Sequence, residues 1–407
     1  MAHGHTIDIA GENRRIDDIG PAVAKGALGI GIVTLVVAVV LTIAFSNWTQ
    51  FLKSYLVSFA YFLSLALGAL FFVLIQHVTR AGWSVLVRRI AEVVASTMPV
   101  LLLLALPILA GLSKLYPWAM ADAPHEVSEL VHKKAPYLTP WFFYLRVAVY
   151  FGVWIWLANY FLKLSLKQDE TGDPDLTSRM QWMSAPALFL FAFTVTFAAL
   201  DFLKSLNPMW FSTIFGVYYF AGAAVGFFSL LAIAMYWLQS NGRLVRVLTT
   251  EHYHDVGKLM FAFVVFWTYI AFSQFMLIWY ANIPEETHWY LVRQTGDWTR
   301  ISIGLLVGHF VIPFLCLISR WPKRSGGLLV IGAVWILLLH WLDMYYLVMP
   351  PMFPKDVVGS PWHILDALCF VGVGGVFVGA AVSRLARHSL IPERDPRLVE
   401  SLAFENY

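Results

Sequence analysis

The sequence predicts an all-α polytopic membrane protein with ten transmembrane helices. They form two tandem four-helix bundles (helices 2–5 and 6–9) flanked by helices 1 and 10. Three observations carry this expectation. Of 407 residues, 59% are hydrophobic and only 13% charged, whereas a solvated domain carries about 25% charged residues. Ten apolar runs each suffice to cross a hydrocarbon layer of roughly 30 Å, which takes about 20 residues of helix. Lys and Arg alternate between dense and sparse from loop to loop, as in a chain that crosses a membrane repeatedly.

The runs lie near Ala24 to Phe45, Ser54 to His77, Val93 to Leu112, Phe142 to Leu164, Ala185 to Leu203, Phe211 to Leu238, Val256 to Ala281, Ile301 to Ser319, Leu328 to Val348 and Trp362 to Val382. The first is longer than a signal-peptide core and no small-residue cleavage site is evident, so it reads as a retained helix after a tail of residues 1–23. Arg14-Arg15 resembles a twin-arginine pair only superficially, since Asp17 and Asp18 follow closely. On the side of the N-terminus lie 19 of the 28 Lys and Arg residues. The positive-inside bias therefore places both termini of this inner-membrane chain in the cytoplasm. Residues 24–386 form the membrane domain, with bundles at about 54–205 and 211–349, and residues 387–407 form a cytoplasmic tail.

Aromatic residues crowd the outer helix ends: Tyr116, Trp118, Trp141, Trp210, Trp279, Tyr280, Trp289, Tyr290, Trp298 and Trp362. An interfacial belt accounts for such crowding, and so does a docking surface. The two long outer loops, 113–140 and 282–297, are the places expected to meet partners. The net charge of +3 leaves no footprint for nucleic acid. Cys316 and Cys369 stand far apart in apolar runs, too few for an iron–sulfur cluster held by this chain alone, and no C-x-x-C-H attaches a haem. No nucleophile elbow, phosphate loop, nucleotide fingerprint or metal-ligand spacing occurs.

An internal repeat supports two bundles. Asp201 to Phe211 and Asp343 to Phe353 both read D-x6-P-x2-F, 142 residues apart, each at an outer helix end. Helices two to five and six to nine run in the same directions, as expected of a duplication about an axis along the membrane normal. In helix ten, Gly375 and Gly379 allow close helix packing.

Ionisable residues inside a bilayer cost about 2.5–3.5 kcal/mol at a helix centre and need a reason. His309 and His340 are expected at similar depth, and Asp343 shares a face with His340 at i+3. Three readings stay open for the histidines: a bis-His b-haem, a proton relay or quinone-adjacent group, and hydrogen-bonded core residues. On helix seven, Glu251, His254, Lys258, Tyr269, Ser273 and Tyr280 recur at helical spacing as a polar lane. Such a lane either guides protons inward or consists of a snorkelling lysine and hydroxyls that satisfy neighbours. Arg146, Asp201 and Lys204 form one outer group and His363 with Asp366 another, each either a quinone-cleft element or ordinary interfacial charge.

Several stretches carry a family likeness. Phe62 to Phe72, Arg88-Arg89 and Thr97-Met98-Pro99 resemble polysulfide-reductase-like (NrfD-type) membrane proteins. His254 to Phe263, Trp267 to Gln274, Ile278 to Glu286, His309 to Phe314 and the tail Asp395 to Asn406 resemble the ActF-type subunits of alternative complex III, a bacterial quinol:cytochrome c oxidoreductase. The resemblance implies ten helices in two bundles and a respiratory electron-transport role. It implies partners: a paralogous NrfD-like subunit, an iron–sulfur subunit, c-type haem subunits, small membrane subunits and a terminal oxidase. Haem c and iron–sulfur clusters would then reside in the partners, with no cofactor bound by this chain alone, menaquinone or its quinol as the small molecule at hand, and proton translocation as a suggested role. Two other classes remain as alternatives. One is a secondary transporter with duplicated halves, although no paired helix break appears at matching positions. The other is a b-type cytochrome using His309 and His340.

Overall fold

The computed structural model describes residues 9–120, 129, 131–351 and 362–405. Among them every regular element is helical. Ten helices are long and apolar enough to span a membrane: α1 Gly20–Phe45, α2 Trp48–Val78, α3 Val85–Ala110, α4 Pro140–Thr171, α5 Asp175–Leu206, α6 Phe215–Ser240, α7 Thr250–Ala281, α8 Asp297–Ile318, α9 Gly326–Val348 and α10 Ile364–Leu385. Several extend beyond the apolar runs on the side of the chain ends, because polar turns such as Arg88-Arg89 and Glu251 to Lys258 continue the helices past the apolar layer.

Burial sorts the helices. In its most apolar window α2 is 89% buried and α1 only 17%. A helix that is apolar all round belongs either in a core or in lipid, and these two take one role each. Around α2 the chain packs α3, α5, α6, α9 and α10; α4 bridges α3 and α5; α6 packs on α7 and α9, and α8 lies against both. Glycines permit the tightest approaches. A Cβ on Gly68 would meet Ala223 O at 2.2 Å, so no larger residue fits where α2 crosses α6. At the α1–α10 contact, a Cβ on Gly31 would stand 2.8 Å from Gly372 O and one on Gly375 2.6 Å from Ala27 O. Gly379 also lies on this seam, as its spacing suggested.

Both chain ends lie on one side, here the terminal side. Leu390 N donates to Arg14 O at 2.8 Å, and Arg14 pairs with Glu393 at 3.1 Å. Arg243 binds Asp18 and holds its carboxyl below the usual range. The C-terminal segment also sends Asp395 to Arg88, which with Arg89, Glu92 and Asp169 forms a buried charge network at 2.7–3.2 Å for its other pairs. The two ends thus tie α3 and α4 to the α6–α7 turn. Of the repeat noted in the sequence, Phe353 lies outside the described residues, as does Lys355 of the charge census.

Candidate functional site

Deeply buried polar residues of α6–α9 converge on one spot. His340 and Asp343 come from α9, His309 from α8, Tyr218 from α6 and Trp267 from α7; His309, His340 and Asp343 are all 0% exposed. Room for the His340 ring comes from α6, where Gly222 and Gly226 leave Cβ positions only 3.0 Å from ring carbons. Ser64 of α2 donates its one hydroxyl hydrogen to Tyr61 O at 2.6 Å, so the 2.7 Å contact to His340 Nε2 is made by an Nε2–H donating to the Ser64 oxygen. His340 Nδ1 is then an acceptor, and it has no partner.

Asp343 is held by neutral donors. Tyr218 donates to Oδ1, and Trp267 Nε1 donates to Oδ2 at 3.1 Å. Among the described residues no Lys or Arg pairs with it. The Trp267 ring also covers His309, with centroids 4.1 Å apart, and the His309 and His340 rings are 6.4 Å apart. Both His309 nitrogens lack partners. Buried polar atoms are satisfied in the great majority of proteins, and those left over mark water or function.

His309 sits on a π-helical turn, Leu306–Val311, within α8. Pro313 explains the turn. It has no N–H, and in the π register the carbonyl left without a donor is that of Gly308. Trp335 Nε1 takes up that carbonyl at 2.8 Å. Such turns recur at functional sites.

Beside this cluster a cleft of ≈ 410 Å³ opens between α7, α8 and the short helix Pro284–Arg293. Tyr218 and Trp267, the two donors to Asp343, form part of its wall. Phe272, Ile303 and Leu306 at its margin are 57–60% exposed on the apolar surface, so the cleft opens toward lipid. Gln274 and Tyr290 supply polarity: Gln274 accepts from Ser212 at 2.9 Å and donates to the Tyr290 hydroxyl at 3.1 Å. The Tyr290 hydroxyl, having accepted from Gln274, still carries a hydrogen to donate. Small-molecule sites of about 300–1,000 Å³ with apolar walls and few polar groups have this character. A second lipid-open groove, ≈ 520 Å³ between α2, α5 and α6, is lined by a single polar side chain, Thr196, and suits acyl chains only.

The other expected site residues separate from this centre. Arg146 grips Asp201 with two bonds at 2.7 and 2.9 Å, Tyr150 donates to Asp201 at 2.7 Å, and Tyr137 stacks on the guanidinium at 3.8 Å. This is a mutually satisfied pair, and neither charged side chain lines a described pocket, although Tyr137 does. Lys204 lines a different pocket, described below. His363 and Asp366 form a capping box at the start of α10, and Asp366 also accepts from Ser54 at 2.5 Å. The helix-seven lane does not run inward. Lys258, Tyr269 and Tyr280 are exposed, Tyr280 by 84%, because the buried stripe of α7 is Val256, Met260, Val264, Trp267, Ile270, Gln274 and Ile278. Ser273 is only half-buried; Glu251 pairs with Arg324 and Lys258 with Asp255 at the terminal end. Below Trp267 the stripe is apolar, so the cluster communicates with the cleft and the far side, away from the chain ends.

The histidines do not fit a haem. His340 has Nε2 committed to Ser64 and Nδ1 pressed against Gly222, 3.3 Å from where a Cβ would stand, which leaves no slot for a porphyrin edge. Among the described residues no three His, Cys, Asp or Glu side chains gather as a metal site. The sequence reading missed Tyr218, Trp267, Gln274 and Tyr290. Gly222-x3-Gly226 marks a gap on α6, but His340 fills it, and nothing in the sequence singles these four out. The chain matches no protein-family model and no curated protein.

Proposed function

We propose that this chain is a membrane subunit of a quinol-oxidising electron-transfer complex of the alternative complex III type, and that it offers quinol the cleft between α7 and α8. The observation that carries the reading is the pairing of a lipid-open cleft with a buried proton-accepting cluster behind its wall. Quinol oxidation releases two protons and two electrons. Tyr290 and Gln274 can hold a quinol hydroxyl, and Tyr218 can pass a proton to Asp343, with the free His340 Nδ1 as a further acceptor. An iron–sulfur or c-haem centre in a partner subunit, docked on the far side, would take up the two electrons; that side is taken here as the outer face of a bacterial cytoplasmic membrane. The two four-helix groups are read as a duplication, with a paralogous membrane subunit as neighbour.

Purification from the native membrane is expected to bring down cluster- and haem-bearing chains. In that complex, Asp343→Asn with His340→Ala is expected to lower quinol-driven proton release without disassembly. Purification of the chain alone and stable, or unchanged coupling in reconstituted vesicles, contradicts the reading.

A further inference from the structure

A pocket of a different kind lies on the far side, at the end of α5. Its volume is ≈ 450 Å³, its rim carries Lys133, Lys134 and Lys204, and Leu138, Leu200 and Phe211 form its apolar floor. Among the described residues no carboxylate lines it. Lys133 reaches Glu129 at 3.5 Å along its exposed edge, whereas Lys134 and Lys204 make no ion pair among the described residues. Asp201, less than one helical turn before Lys204, is consumed by Arg146 and Tyr150. Lys134 is fixed by a 2.7 Å bond to Pro208 O, so one amine is already oriented, and burial pushes it below the ordinary amine range. Phe211 is 55% exposed and continues the floor onto the lipid-facing surface.

We infer that this pocket binds the phosphate headgroup of an anionic phospholipid, with Lys134 and Lys204 on the phosphate and the first acyl carbons along Leu200 and Phe211. Charge and shape both select this occupant. Two uncompensated amines favour an anion, each by about fivefold near a membrane surface. The apolar floor, continuous with the lipid face at the level of a helix end, favours an amphiphile over a free anion or an acidic protein segment. Nothing in the inference depends on quinol chemistry.

Detergent-purified complex, stripped of lipid and then offered phosphatidylglycerol or phosphatidylcholine, tests this by native mass spectrometry. Phosphatidylglycerol is expected to be retained and phosphatidylcholine lost. Lys134→Gln with Lys204→Gln should lower retention by about 25-fold, the product of two fivefold steps, while Lys134→Arg with Lys204→Arg should keep it. Phe211→Ala, with every amine intact, should weaken lipid retention and serves if the glutamine variant does not assemble. Equal retention of both lipids, indifference to the glutamine and Phe211 variants, or complete displacement by inorganic phosphate overturns the inference.

Discussion

Two aspartates, 142 residues apart, invite comparison. Asp201 and Asp343 lie near the far ends of α5 and α9, both are fully buried, and each accepts a hydrogen bond from a tyrosine, Tyr150 or Tyr218. The third partner differs. Asp201 has the Arg146 guanidinium, doubly bonded, whereas Asp343 has the neutral Trp267 indole and two histidines with unpartnered nitrogens nearby. With a cation the carboxylate is a fixed strut; with neutral donors beside a cleft it has the setting in which, on the proposed reading, a proton is exchanged.

The comparison breaks first at Arg146. Arg146→Met leaves a buried charge unpaired and is expected to destabilise the protein by about 3–5 kcal/mol. Arg146→Met with Asp201→Asn should recover much of the loss, as read by thermal unfolding in detergent. Asp343→Asn should behave in the opposite sense. Its amide oxygen still accepts from one donor while its NH2 faces the other, so a cost of about 1–3 kcal/mol is expected, below that of Arg146→Met, while quinol oxidation by the complex falls by about 10²–10⁴-fold, the contribution of a positioned base. If Asp343→Asn unfolds the protein as readily as Arg146→Met, the two carboxylates are the same kind of strut.

Gly222→Ala probes the space around His340. The new methyl would stand 3.0 Å from the ring, so the histidine must shift. A cost of about 1–3 kcal/mol is expected, with a fall in oxidation rate that Gly152→Ala, which meets open space, does not share.

The smallest effect concerns the terminal side. Burial, with Arg89, Arg387 and Arg15 nearby, lowers the His388 affinity for a proton below the ordinary 6.5. A histidine with a lowered folded value contributes stability that is present above its unfolded value and lost as pH falls through the window below it. Limited proteolysis of the C-terminal segment should therefore quicken between pH 7.5 and 5.5, and His388→Gln should flatten that dependence.

The spans could be read from the sequence because lipid demands long apolar runs, and all ten were found. Their polar extensions were missed for the same reason: Arg88, Arg89 and Glu251 interrupt hydropathy without interrupting the helix. His309, His340 and Asp343 stood out as ionisable residues in apolar runs, and they do meet. The lane on α7 lies on the outward face of this chain, which periodicity alone does not reveal: Tyr269 and Tyr280 face outward while Trp267 faces the core. Tyr218 and Trp267 were hidden among many aromatics, and only the packing of α6 and α7 against α9 distinguishes them. The π turn at His309 follows from Pro313 together with a tryptophan 22 residues further on, a pairing that appears only in three dimensions.

The central claim is that the cleft beside Asp343 receives quinol. Photolabelling of the intact complex with an azido-quinone, followed by peptide mapping, addresses it directly. Label in the stretches Trp267 to Phe275 and Ser302 to Phe310, competed by unlabelled quinone, is the expected result; label absent from both, or confined to the helices around Asp201, would contradict it.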